Sequence, residues 1–244
     1  MANWKLINGD CVSEMRVMVS GQFDLVFADP PFNIGYVYDQ YRDIMPKRDY
    51  LNWTTAWLTQ AKRLLKPTGS FFVAIGDEYA AEIKLALDAT GMVMRNWLVW
   101  HYTFGVNCKK KFARCHTHIF YYVADEHCFT FNADAIKVKS KRQEIGDKRA
   151  SSGGKIPDDV WQVSRLCGTF HERTAHPCQM PQEILERIIK VSTNEGDWIL
   201  DPFAGSGTTL DAATRLKRSC VGVELSAEYC ALIRQRLERT ASRC

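Results

Sequence analysis

The sequence predicts an α/β fold, a mostly parallel sheet covered by helices on both faces. Three observations predict it. Runs rich in β-branched and aromatic residues alternate with amphipathic segments of helical period. Each run ends in turn residues. The two motifs that carry chemistry both stand at the end of such a run, where open α/β sheets bind their ligands. At 244 residues, 46% hydrophobic and 25% charged, the composition is that of an ordinary globular protein, and one domain accounts for the length.

The first strand is read at residues 23–28, FDLVFA, an apolar run of the kind buried on both faces. A helix follows over 50–65, a strand over 70–75 (SFFVAI) and a helix over 78–89. Near the end come a helix over 181–192, a strand over 198–200, a helix over 208–216, a strand over 219–223 closing on Glu224, and a last helix over 227–239. Between these halves, residues 105–165 break the rhythm. Their first part reads as strand (118–124), whereas 133–157 is polar and basic and carries Gly153-Gly154 ahead of Pro157, the marks of a loop. The chain is therefore expected to be one domain, 1–244, with an insertion at 105–165 that holds at least one mobile loop.

The net charge of +4 is unevenly placed: residues 105–155 hold eleven Lys or Arg against five Asp or Glu. Such concentration fits a polyanionic partner or a solvated basic face. The nine cysteines include no Cys-x-x-Cys pair and are expected reduced. Cys108, Cys115, His116, His118, His127 and Cys128 crowd one stretch, but in no common zinc spacing, so no metal is expected. No basic-then-apolar leader and no run of eighteen apolar residues is found, so a soluble, cytoplasmic protein without membrane contact is expected.

One motif, residues 199–209 (ILDPFAGSGTT), passes from an apolar strand through a glycine turn into a helix. Glycines let a ligand approach the backbone, and free amides at a helix start favour an anion. The run lacks the Gly-Lys-Ser/Thr of a phosphate-binding loop and the third glycine of the dinucleotide fingerprint; the carboxylate of an amino acid fits the same terminus. Glu224 follows at the end of the next strand, placed to accept from both hydroxyls of a ribose. Together these read as a nucleoside site.

The other motif, Asp29-Pro30-Pro31-Phe32, closes the first strand. Two prolines fix the backbone and remove amide donors, leaving carbonyls and the Asp29 carboxylate as acceptors in one small volume. That is a receptor for an amine. The exocyclic amine of a base is a poor nucleophile because its lone pair is delocalised. Accepting its two hydrogens on Asp29 and the Pro30 carbonyl favours a pyramidal nitrogen aimed at an electrophilic methyl group. Phe32 is placed to stack on a base taken out of its duplex. On its own, the tetrapeptide is also compatible with a rigid turn that buries Phe32.

With both motifs in this order, the chain resembles the beta-class DNA amino-methyltransferases, which methylate adenine N6 or cytosine N4, over residues 6–237. The resemblance implies a Rossmann-like, seven-stranded, S-adenosylmethionine-dependent methyltransferase fold entered at a permuted point, with the insertion as target-recognition region. It implies that Asp201, Phe203, Gly205, Gly207 and Thr208 line the cofactor, with Glu224 on its ribose. Asn8-Gly9-Asp10-Cys11 resembles the family's turn whose Asp meets the cofactor's adenine amine. His176-Pro177-Cys178-Gln179-Met180-Pro181 resembles an element usually read His-Pro-Thr-Gln-Lys-Pro beside the methionine end, with Cys178 and Met180 departing from it.

Asp at the first catalytic position is typical of adenine enzymes and favours N6 over cytosine N4, although Phe32 replaces the more frequent Tyr. Lys109, Lys110, Lys111, Arg114, Lys139, Lys141 and Arg142 are the expected contacts to double-stranded DNA, and Trp100 is expected in the core. A cognate restriction endonuclease is a candidate companion, and either a monomer or a homodimer is compatible with the chain. The rival readings are an RNA-directed enzyme and a catalytically silent nucleic-acid binder of the same fold. A nucleotide hydrolase fails for want of a phosphate-binding lysine and a magnesium ligand pair.

Overall fold

A computed structural model describes residues 3–102, 108–149, 151–166, 173–174 and 176–242; residues 105–107 of the insertion and Cys167 lie outside them. The chain opens with β1 (Trp4–Asn8), α1 (Cys11–Val17) and β2 (Phe23–Ala28). It continues through α2 (Lys47–Leu64), β3 (Leu65–Ile75), α3 (Ala80–Asp88), β4 (Val93–His101) and β5 (His116–Val123). A 3-10 turn (Ala133–Ile136), the short α4 (Lys141–Glu144) and β6 (Val160–Gln162) lead to α5 (Gln182–Ser192). The glycine motif joins β7 (Trp198–Asp201) to α6 (Thr208–Arg215), and β8 (Ser219–Glu224) and α7 (Ala227–Ala241) follow.

The strands form one eight-stranded sheet in the order β1-β8-β7-β2-β3-β5-β4-β6. All run parallel except β5, which is antiparallel to both β3 and β4. This is the expected Rossmann-like α/β architecture, with one strand beyond seven. The extra strand is β6, which pairs with β4 along Val99↔Val160 to His101↔Gln162.

Residues alternate between two cores, as the two-residue period of a strand requires. Leu25, Phe27, Phe72 and Ile199 face α5, α6 and α7 in one core. Val26, Ala28, Phe71 and Leu200 face α1, α2 and α3 in the other. The region 105–165 is not all insertion, since β5 is an inner strand between β3 and β4. What stands outside the strand–helix alternation is 124–159, pinned by the Val138↔Lys155 bridge and by α4, whose start is held by a Ser140–Gln143 capping box.

Candidate active site

The chain leaves the neighbouring strands β2 and β7 in opposite directions, through α2 to β3 and through α6 to β8. A crevice opens at such a reversal of strand order. Here it is a cleft of about 760 Å³, and both motifs line it.

The Asp29–Phe32 turn forms one wall. Tyr50 of α2 donates its hydroxyl to the Pro31 carbonyl at 2.8 Å, while no described residue donates to the Pro30 carbonyl. Asn33, in the left-handed region at φ 57°, is held there by its side chain, which accepts from the Met45 amide at 2.6 Å and donates to the Tyr79 hydroxyl at 2.9 Å. Asp43 has no exposed surface and accepts the amides of Asn33 at 2.7 Å and Ile34 at 3.1 Å. Phe32 is half-buried, and its ring lies close to Gly76, where a Cβ would stand 3.1 Å from it.

The glycine turn forms the facing wall. Asp201 accepts the Phe203 amide at 2.9 Å. Both Glu224 oxygens are anchored, one by the Gly205 amide and one by the Ser226 amide, each at 2.8 Å, which leaves lone pairs free to accept hydroxyls. Gly205 lies at φ 51° with the His176 ring 3.3 Å from where a Cβ would stand. The His176 ring stands edge-on to Tyr229, centroids 4.7 Å apart. Phe203 does not pack with the helices of its own motif; it meets Trp53 and Trp57 of α2 edge-on, at 5.6 and 5.2 Å. Asp10 caps α1, its Oδ1 accepting both the amide and the hydroxyl of Ser13 at 2.8 Å.

The electrostatics are those of a pocket for a cation. Burial, with Asp201 beside it, pushes the Asp29 carboxyl up to about 7. Burial does the same to Asp201, up to about 7, against the pull of the Thr209 hydroxyl and the Phe203 amide. Two acidic groups side by side in low dielectric resist carrying two uncompensated charges. Burial holds His176 neutral, down to about 4, and pushes the Cys11 thiol up to about 12.

A family model described as DNA methylase matches residues 23–235. The chain belongs to the N6/N4 DNA methylase family. It is 32% identical over 236 residues to the Type II methyltransferase M.HpaI of Haemophilus parainfluenzae, covering 96% of this chain and 74% of that protein. It is 33% identical over 242 residues to the DNA adenine methyltransferase YhdJ of Escherichia coli K12, covering 96% and 82%. The fold matches the crystal structure of an M1.HpyAVI–SAM complex with a TM-score of 0.70 at 21% identity, over 96% of this chain and 98% of that one.

DNA methylases of this family depend on S-adenosylmethionine, and the cleft fits that molecule. Paired carboxylates suit a sulfonium, the anchored Glu224 suits a ribose, and the missing side chain at Gly205 leaves room beside His176. Of the cofactor residues read from the methylase sequence, Asp10, Cys11, His176, Pro177, Asp201, Phe203, Gly205, Thr208 and Glu224 line the cleft. Gly207 does not. It caps α6 at φ 72° against Ile233 and donates its amide to the Ala204 carbonyl at 2.7 Å, which shapes the turn. The Thr208 hydroxyl is already engaged by Ser206 at 2.8 Å and Arg236 at 3.1 Å.

Lys109, Lys110, Lys111, Lys139, Lys141 and Arg142 are exposed and stand outside the cleft lining. Arg114 is less available than its sequence context implies, because Asp77 and Glu78 hold its guanidinium. Trp100 is buried as expected and donates to the Val163 carbonyl at 2.8 Å, yet part of it reaches the cleft. Among the described residues no group of His, Cys, Asp and Glu is arranged to hold a metal, and the described cysteines are free thiols. No described helix is long and apolar enough to cross a membrane.

Sequence reading missed Asp43, Tyr50 and Tyr38. Tyr38 stacks on His176 with centroids 6.2 Å apart, and burial pushes its hydroxyl well above the ordinary range. It also missed the bridge by which Asp39 reaches Ser226, at 2.6 Å, across the mouth of the cleft.

Proposed function

We propose that the chain transfers a methyl group to the N6 amine of an adenine turned out of double-stranded DNA. The observation that carries this reading is the Asp29 carboxylate next to a Pro30 carbonyl that no described residue claims, one strand away from the glycine turn. S-adenosylmethionine, when bound, would supply the electrophilic methyl, its sulfonium leaving as a neutral thioether as the S–CH3 bond breaks, and the proton the amine sheds would pass to Asp29. Asp29 as anion and the Pro30 carbonyl accept the two amine hydrogens and aim the nitrogen lone pair. Tyr50 already donates to the Pro31 carbonyl, which makes the Pro30 carbonyl the more available of the two for the amine. Phe32, its ring beside Gly76, stacks on the base.

On the cofactor side, Glu224 accepts the ribose hydroxyls and the second oxygen of Asp10 accepts the adenine amine. Asp201, Gly205, Thr208, His176 and Pro177 enclose the methionine end, with Cys11 and Phe203 as apolar walls. Adenine is favoured over cytosine by the carboxylate at position 29 and by the likeness to an adenine methyltransferase. Lys109, Lys110, Lys111, Lys139, Lys141 and Arg142 contact phosphates, and the segment around α4 reads the sequence, within one domain that works as a monomer or homodimer. Likeness to a Type II methyltransferase supports a companion restriction endonuclease in the cell.

The test is transfer of labelled methyl to mixed-sequence duplex DNA, with the product nucleosides separated. Label is expected in N6-methyladenine and to fall at least about 100-fold with Asp29→Ala. Label in N4-methylcytosine refutes the adenine assignment, and no label on DNA despite cofactor binding refutes the DNA reading.

A further inference from the structure

β4 and β5 pair antiparallel as far as His101↔His116, and a hairpin joins them there. Tyr102 and Thr117, which flank it, line the cleft. At its foot the Tyr102 amide donates to the Cys115 carbonyl at 2.8 Å and the Tyr102 hydroxyl to the His116 carbonyl at 3.0 Å. Arg114 Nε is tied to Asp77 at 2.8 Å, just beyond the end of β3, and β3 is the neighbour of the strand that delivers Asp29. Beyond this foot the described residues are Cys108, three exposed lysines (Lys109 to Lys111), Phe112 and Ala113.

Phe112 is 100% exposed; the next most exposed large apolar residue among those described is Val17 at 82%. A single apolar side chain in water needs no explanation by itself. Its place does. An aromatic ring flanked by cations, on a hairpin anchored at the rim of a base-receiving cleft, has the shape and charge to enter a base stack while its neighbours hold phosphates.

Resting on the DNA-methylating function proposed above, we infer that Phe112 is a wedge that enters the duplex at the target pair and fills the space left by the everted base. A base leaving a duplex gives up its stacking and pairing, at a cost of a few kcal/mol that is smaller for a base already unpaired. The wedge therefore acts on a paired target and has little to offer an unpaired one. A residue that stacked on the everted base would serve both alike.

The methylated position is first mapped by sequencing plasmid DNA treated with the protein. Short duplexes then carry that site with the target base either paired or opposite an abasic position. Phe112→Ala is expected to lower kcat/KM on the paired duplex by about tenfold or more and on the unpaired one by less than about twofold, and Phe112→Trp to restore the first. With 2-aminopurine at the target, the wild type raises fluorescence on binding and Phe112→Ala does not. Equal losses on both duplexes, or no loss on the paired one, overturn the wedge. A wild type that methylates no DNA overturns the function itself.

Discussion

Asp43 offers a test of how the Asp29–Phe32 turn is held, because it touches neither motif's chemistry. It has no exposed surface and accepts the amides of Asn33 at 2.7 Å and Ile34 at 3.1 Å, directly after Phe32. Asp43→Ala removes two charge-assisted hydrogen bonds, each contributing about 1.5–3 kcal/mol, so the combined loss is about 3–6 kcal/mol. For a chain of this size, a loss of 1 kcal/mol lowers Tm by about 2–4 °C, so a fall of about 10 °C is expected. The left-handed Asn33 would relax with the turn, and a displacement of about 1 Å at Asp29 and Pro30 lowers kcat by about 100-fold. Cofactor affinity should hardly change, since the glycine turn has its own supports. Asp43→Asn keeps one acceptor and should lose about half as much stability. Thermal melts followed by circular dichroism and single-turnover methyl transfer at saturating cofactor read both effects. An alanine variant with the wild-type Tm and kcat would show that the turn is held by something else.

The paired carboxylates predict a pH effect with a definite sign. Asp29 and Asp201 titrate near 7 in the fold, above an unfolded aspartate, so their contribution to stability is full below about pH 4 and is lost as pH rises through about 7. The cofactor-free wild type should therefore lose more Tm between about pH 4 and about pH 7 than Asp201→Asn does, in paired melts; equal slopes would refute the coupling. Gly207→Ala forces a side chain onto φ 72°, 2.9 Å from Ile233 Cγ2, and should cost about 2–3 kcal/mol in denaturant melts while weakening cofactor binding by calorimetry.

The inner strands were legible because each is a continuous apolar run: 23–28 was read to the residue, and 198–200 and 219–223 fell one residue short. The edge strands β1 and β6, and β4 beside β6, were not. β1 mixes polar and apolar residues, β6 has three residues, and four of the nine residues of β4 are exposed; these strands owe their existence to backbone pairing with a partner, which no local pattern encodes. The site divides the same way. Asp29 and Glu224 could be read because rigid local turns carry them. Asp43, Tyr50 and the Asp39–Ser226 bridge act across 10, 19 and 187 residues, and in the sequence each looks like an ordinary loop, helix or capping residue. Arg114 was overrated for a related reason, since its acidic partners lie in a distant turn.

The packing of Phe203 has a consequence for how such a protein diversifies. The Asp29–Phe32 turn is braced from the core beneath α2, and the glycine turn from the core beneath α6 and α7, with the sheet between them. Changes in separate, non-touching sites combine additively, so one half can drift toward a new target while the other retains its cofactor. Phe203 is where that independence stops: it belongs to the glycine motif by sequence and to Trp53 and Trp57 by contact. Substitutions under α2 that spare this aromatic trio are free to accumulate, and those that disturb it change both halves at once.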